Sequence, residues 1–496
     1  MLSEYRQRFS DFQTSLHRED YLFRSGRKPR RETAHVRSEY SNLFTLSAIS
    51  DLRAKLEETS EYLETERSSV WRLIAFAIEG NISARVCEVS DEIEIYEAGA
   101  QIDWQGQKVE LRQSAGALAN EPDATRRRDL FARRADVIKG ANDLRSERIE
   151  KMREAAQELG HESRLALHRE LRGVDGEKLA ERARFFLSKT ESAYVSAISG
   201  LFAREADVSI DEATWADLGF LQRFNRFDHF FPRERMLGVY RELLAAIGFD
   251  TEKQSNVEID TTPRQQPAFC SPIRIPDEIK LVANPVGGQA NYREFLRESG
   301  HAQLFAWTSP SAYPEFRIGG DRAVQQAWGM LLENLPLDGR WLMGVFGFAE
   351  NMLFRQALAA FKLMAVRRYA ALLNYETEFH SERLANNAGS RYAELMTDAV
   401  RARFDETYYL RDLDDEFYSE SFLRGCLFES QLREYLKTQF GQRWWASRRA
   451  GEMLIDLWNT GQRYTVEELA AMIGLGELDF DWLASELLEQ VEGRAQ

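Results

Sequence analysis

A mainly α-helical body with a small β-sheet in its interior is the fold class this sequence predicts, and three observations lead to it. The prolines are unevenly placed: of eleven, none falls between Pro122 and Pro232 and nine fall from Pro232 to Pro336. Proline removes a backbone donor and breaks helices, so the flanks are free to form long helices and the middle must hold strands and turns. The flanks also carry apolar residues at helical spacing, and the middle carries apolar residues in alternation.

Leu52 to Ile78 shows helical spacing with Glu and Arg between the apolar positions. Glu177 to Phe202 repeats the pattern behind Asp175, a capping residue type. Leu353 to Leu373 and Ser421 to Phe440 are further amphipathic runs. Within the first flank, Ile102, Trp104, Val109 and Leu111 straddle Gln105-Gly106, which predicts a short hairpin over Gln101 to Arg112. In the middle, Ala268 to Ile275 and Ile279 to Val282 alternate around Pro276-Asp277-Glu278, predicting a second hairpin that Pro285 and Gly287-Gly288 end. Tyr292 to Trp307 then reads as a helix, and another starts at Asp321. No repeat, low-complexity segment or linker interrupts the 496 residues. The expected organisation is an N-terminal helical half over 1–250 and a second half over 251–496, intertwined in one body.

Composition excludes several functions. The net charge is −15, from 80 acidic and 65 basic residues, so the chain repels phosphate backbones and nucleic acid is not expected as a partner. The run Arg126-Arg127-Arg128, flanked by Asp123 and Asp129, reads as a solvated helix face. Three scattered cysteines, Cys87, Cys270 and Cys426, form neither a disulfide framework nor a cysteine metal site. No stretch reaches the roughly 18 uninterrupted apolar residues of a spanning helix, and no signal peptide is visible, so the expected location is the cytoplasm and no membrane partner is expected. Trp444-Trp445 reads as core packing between helices, and Asp412 to Glu416 as a solvated turn rather than a calcium loop.

The chemistry concentrates on Arg297-Glu298-Ser299-Gly300-His301. Positions i and i+4 share a helix face, the geometry that His-Glu-x-x-His uses to hold zinc between two imidazoles while the glutamate activates the metal-bound water. Here the glutamate and the second histidine are present and the first position holds Arg297. Ser299 and Gly300 allow close backbone approach, and the preceding hairpin offers an edge to which an extended peptide could add as a strand. The seven histidines include no substitute cluster: His161-Glu162 lacks a second histidine at the needed spacing, and His229 and His380 are remote in sequence.

Phe295 to Ala306 resembles the active-site helix of M3-type metallopeptidases, the oligoendopeptidase F and thimet oligopeptidase relatives, with angiotensin-converting enzyme more distant. The likeness to a bacterial M3-like branch extends to Cys270-Ser271-Pro272, Pro276-Asp277-Glu278, Gly287-Gly288-Gln289, Phe316-Arg317, Gly320-Asp321, Arg443-Trp444-Trp445, Ala450-Gly451-Glu452, Leu457-Trp458 and Gly461-Gln462. It covers most of the chain, most clearly from Phe269 onward. It implies a helical body with a deep central cleft and a small antiparallel β-sheet beside the active-site helix. It implies Glu298 as general base, His301 as the second metal ligand, and Tyr418 as the residue that stabilises the oxyanion. The first ligand position falls on Arg297. The third ligand is a glutamate about 25 residues beyond the second histidine in the family pattern, which falls on Gln326, with Gln325 as the neighbouring register. An amide is a poorer zinc ligand than a carboxylate, and a guanidinium repels a dication.

Three functions follow. The first is a catalytically impaired pseudopeptidase, without zinc, whose cleft holds a peptide or protein segment. The second is metal-independent acid–base chemistry by Glu298 and Tyr418 on an easier substrate than a peptide. The third is an active metallopeptidase with an unusual zinc site. On the first, Arg297 is expected to replace the zinc charge by pairing with Glu298 or Glu333; on the alternative it points into a water-filled cleft.

Overall fold

The structure is a computed structural model that describes residues 1–262, 267–381, 384 and 387–494. The elements that carry the argument are strands β1 (Gln101–Trp104), β2 (Gln107–Glu110), β3 (Val257–Asp260), β4 (Phe269–Arg274) and β5 (Glu278–Val282), with helices α1 (Gly176–Leu201), α2 (Gln289–Trp307), α3 (Arg322–Glu333), α4 (Met352–His380) and α5 (Tyr418–Phe440). Helices dominate, as expected. Among the described residues no helix is long and apolar enough to cross a membrane. The chain divides into two units, each of three interleaved segments: Met1–Ala84, Phe227–Ala349 and Arg424–Leu478 in the first, and Arg85–Arg226, Glu350–Leu423 and Asp479–Gln496 in the second.

In the first unit, the run from Leu52 is interrupted. One helix ends at Glu58 and the next begins at Glu64. Helix ends leave carbonyls without partners. Here the Thr59 hydroxyl donates to the Lys55 carbonyl at 2.7 Å, and the Arg67 guanidinium donates to the carbonyls of Leu56 (3.0 Å) and Thr59 (2.8 Å). These bonds stabilise a break that apolar spacing does not register. The second hairpin forms as expected, with β4 antiparallel to β5. The sheet is nevertheless mixed rather than purely antiparallel, because β3 joins the other side of β5 in parallel, giving the order β3-β5-β4. Val257 to Asp260 is only four residues long, too short for its alternation to signal a strand. The core beneath includes Trp328, whose ring lies 5.9 Å from both Phe428 and Trp458. Trp444 and Trp445 are buried, as expected.

In the second unit, β1 pairs antiparallel with β2 around Gln105-Gly106, both in the left-handed region (φ +52° and +76°) that a two-residue hairpin turn requires. The Asp175 carboxylate caps α1 by accepting from the Lys178 amide at 3.1 Å. The helix α1 packs along α4, and the buried Arg367 of α4 donates to the carbonyls of Leu187 and Ala399 at 2.7 Å each. The arginine run is not a uniformly solvated face. Arg126 is exposed, but Arg127 is fully buried, donating to Asp217 at 2.9 Å with Phe220 4.4 Å beneath its guanidinium. One position in three on a helix turns inward, and the partner that makes burial tolerable lies ninety residues away.

Candidate functional site

Arg297, Glu298, His301 and Gln326 come together in the first unit, where α2 crosses α3. The crossing is close because it is made by glycines. A Cβ on Gly300 would fall 2.2 Å from the Trp328 carbonyl oxygen, and a Cβ on Gly329 would fall 2.4 Å from His301 Nε2. Only bare backbone allows this approach.

One face of α2 meets the edge of the sheet. Glu294 accepts from the Ala268 amide at 3.3 Å, and Glu298 accepts from the Cys270 amide at 2.8 Å. Four helical residues advance about 6 Å and two strand residues about 6.8 Å, so glutamates at i and i+4 match alternate amides along this edge, Ala268 just before β4 and Cys270 within it. The next residue on that edge is Pro272, which has no amide to satisfy. The other oxygen contact of Glu298 is to its own helix, with Oε2 3.3 Å from His301 Nδ1. Burial works to raise the Glu298 carboxyl, but His301, the Cys270 amide and Arg297 outweigh it and hold the group below its ordinary value. Glu294 goes the other way: burial raises it, and the charges of Glu298 and Glu333 add to that. Burial, with Glu298 nearby, also pushes the Cys270 thiol well up, so it stays protonated and is no thiolate nucleophile.

A second face of α2 meets α3. Arg297 Nη2 donates to Gln326 Oε1 at 3.2 Å, and its Nε lies 3.7 Å from Glu333 Oε2. Arg293 reaches the other oxygen of Glu333 at 3.0 Å. Arg297 thus forms an ion pair with Glu333, one of the two partners expected for it, in addition to its bond with Gln326. Gln326 is buried, whereas Gln325 is half-buried. His301 is 6% exposed, and among the described residues its Nε2 has no hydrogen-bond partner.

Tyr418 belongs to the second unit, as the first residue of α5. Its amide donates to Asp414 at 3.2 Å, and its ring meets Tyr369 edge-on at 5.6 Å. Phe417 before it is left-handed (φ +53°), with its ring 4.4 Å from His168 and 5.1 Å from His380. Glu376 lies directly behind, in contact with the Ser419 hydroxyl and 3.4 Å from the Asp414 amide. Burial pushes Glu376 up to about 8, and the charges of Asp414 and Glu420 add to the rise. Glu420 is bonded to His168 at 2.6 Å. The stretch from Asp412 to Glu416 is therefore no solvated turn. Asp412 accepts from Tyr392 at 2.6 Å, Asp414 holds the Tyr418 amide, and Asp415 pairs with Arg148.

Sequence reasoning missed Glu294 and Gly329. The first has a signal, being four residues before Glu298. The second has none, because what it touches is set by the crossing.

No family model matches the sequence, and no curated protein matches it. Solved structures do. The chain is similar to an oligoendopeptidase F (TM-score 0.65, 15% identity, covering 90% of this chain and 84% of that one). It is similar to the M32 carboxypeptidase of Deinococcus radiodurans (TM-score 0.62, 14% identity, 99% of each chain). It is also similar to Trypanosoma cruzi metallocarboxypeptidase 1 (TM-score 0.60, 12% identity, 98% of this chain and 99% of that one). The fold is that of the helical metallopeptidases. At these identities the likeness speaks for the fold alone.

Zinc, which the family resemblance implies, does not fit the residues at the crossing. A catalytic zinc takes three protein ligands. Here a guanidinium and an amide bond to each other beside a single imidazole, and the Nε2 edge of that imidazole lies against Gly329. Among the described residues no three His, Cys, Asp or Glu side chains are grouped to hold a metal ion.

Proposed function

We propose that this protein is a pseudopeptidase: a metallopeptidase scaffold with impaired zinc hydrolysis that serves to hold an extended peptide or protein segment. The observation that carries this reading is the bond from Arg297 to Gln326. Two positions where the family resemblance expects metal ligands hold a fixed positive charge and a neutral amide, and these satisfy each other. With Glu333 beside it, Arg297 supplies the charge that a metal would otherwise provide. Glu298 is committed to the Cys270 amide and to His301. A peptide that adds as a strand at β4 must displace Glu294 and Glu298 from the two amides they occupy.

The test is to measure zinc in the purified protein and to assay cleavage of a mixed peptide library. The expected result is substoichiometric zinc and no chelator-sensitive cleavage. Near-stoichiometric zinc with chelator-sensitive cleavage would overturn the reading. The double variant Arg297→His with Gln326→Glu is expected to gain zinc affinity, because it restores three ligand types at positions already in contact. A second reading, metal-independent acid–base chemistry, draws on the contact between Glu298 and His301. It requires turnover of an easier substrate than a peptide, such as an activated ester, that persists in chelator and disappears in Glu298→Gln.

A further inference from the structure

The second unit contains a cavity of about 560 Å³ that plays no part in the reading above. Its volume lies within the range of small-molecule sites. Six arginines line it: Arg112, Arg145, Arg148, Arg153, Arg164 and Arg411. Four carboxylates, Glu94, Glu97, Asp414 and Asp415, stand against them in the wall, and Glu150, just outside the lining, pairs with Arg153 at 2.7 Å, so six positive charges less five negative leave a surplus of +1. That surplus is local, in a chain whose net charge is −15.

The pairing within the wall explains the surplus. Glu97 serves two guanidiniums, those of Arg145 and Arg411, the latter at 3.2 Å. Burial would raise Glu97, but the two arginines outweigh it and hold the carboxyl below its ordinary value. Arg148 forks onto Asp415, with one arm at 2.9 Å, and Arg164 donates to the Asp415 backbone carbonyl at 2.7 Å. Burial, helped by Arg164 and Arg153, drives His380 down to about 3, so it adds no charge at neutral pH. Much of the remaining wall is hydrocarbon, from Ile93, Ile149, Met152, Leu410 and Leu413. Guanidiniums bind planar oxyanions through paired hydrogen bonds, and an apolar wall gains by covering a hydrocarbon body.

We propose that this cavity binds a small organic oxyanion, a charged head on an apolar body, such as a phosphate monoester or a dicarboxylate. The charge surplus matches the head and the hydrocarbon wall matches the body. The site is independent of the zinc question, since its lining lies in the other unit from Arg297 and His301.

The experiment is isothermal titration of the full chain at constant ionic strength with phenyl phosphate, benzylmalonate, inorganic phosphate and benzyl alcohol. Saturable one-to-one binding is expected for at least one aromatic dianion, about tenfold tighter than inorganic phosphate, with none for benzyl alcohol. Tighter binding of phenyl phosphate assigns a phosphate ester, and tighter binding of benzylmalonate a dicarboxylate. Arg112 is exposed, so Arg112→Gln should keep the wild-type melting temperature and weaken the bound dianion about fivefold or more. Arg153→Gln is the second variant if the first does not fold. The proposal is overturned if neither dianion binds, if benzyl alcohol binds as tightly as the dianions, or if a folded arginine variant binds them undiminished.

Discussion

Glu298 and Glu376 are chemically the same side chain, taken largely out of water in two different units, and their surroundings drive them in opposite directions. Glu298 receives a backbone amide, faces an imidazole and has a guanidinium one residue away, and it is held below its ordinary value of 4.5. Glu376 is pushed up to about 8 by burial; the Ser419 hydroxyl and the Asp414 amide lower it, but Asp414 and Glu420 are like charges. Burial penalises the ionised form in both places, so the sign of the shift is set by what else reaches the oxygens. The two therefore respond oppositely to pH. The stabilising contribution of Glu298 is present above about 4.5 and is lost as pH falls through its depressed folded value. Glu376 keeps its proton in the folded state while the unfolded chain releases it, so stability falls as pH rises from about 4.5 through about 8.

The largest effect should come from removing the paired carboxylate. Glu298→Ala strips a partner from the Cys270 amide and from His301, and denaturant unfolding at pH 7 should show a loss of about 3–5 kcal/mol. A loss below about 1 kcal/mol would mean that the carboxylate is not the hub of its surroundings. Next is the opposite member of the pair. Glu376→Gln mimics the protonated acid and should stabilise the fold by on the order of 3 kcal/mol at pH 8 and by almost nothing at pH 4. A gain that does not change with pH would show that Glu376 is ionised in the native state. Gly329→Ala sharpens the comparison from the packing side: its Cβ meets His301 Nε2 at 2.4 Å, and thermal melts should show a loss of about 2 kcal/mol as the ring is displaced. The smallest effect is expected for Glu294→Gln, whose carboxyl is already raised and whose amide oxygen still accepts from Ala268. A loss above about 1 kcal/mol would indicate that the ionised form matters there.

How much was legible depends on how far apart the interacting residues lie. The Gln101–Arg112 hairpin and the helices α1, α2, α4 and α5 were readable because period and turn chemistry are local signals. The break at Thr59 was not, because Arg67 stabilises it from the following helix. Nor was the burial of Arg127, the pairing of Asp415, or the parallel strand β3, since each depends on a partner distant in sequence. At the candidate site the helical register alone put Arg297, Glu298 and His301 within one stretch of a single helix. It left open whether Gln325 or Gln326 faces Arg297.

By itself the sequence determined a helical chain with two short hairpins and an active-site-like helix carrying arginine where the resemblance expects histidine. Tertiary structure decided what those residues touch. Gly300 and Gly329 let two helix backbones approach closely enough for Arg297 to reach Gln326, and matched rises of helix and strand set two glutamates on the amides of Ala268 and Cys270 at the start of β4. Spacing along one element is encoded locally, whereas a distance between elements exists only once the whole core has packed.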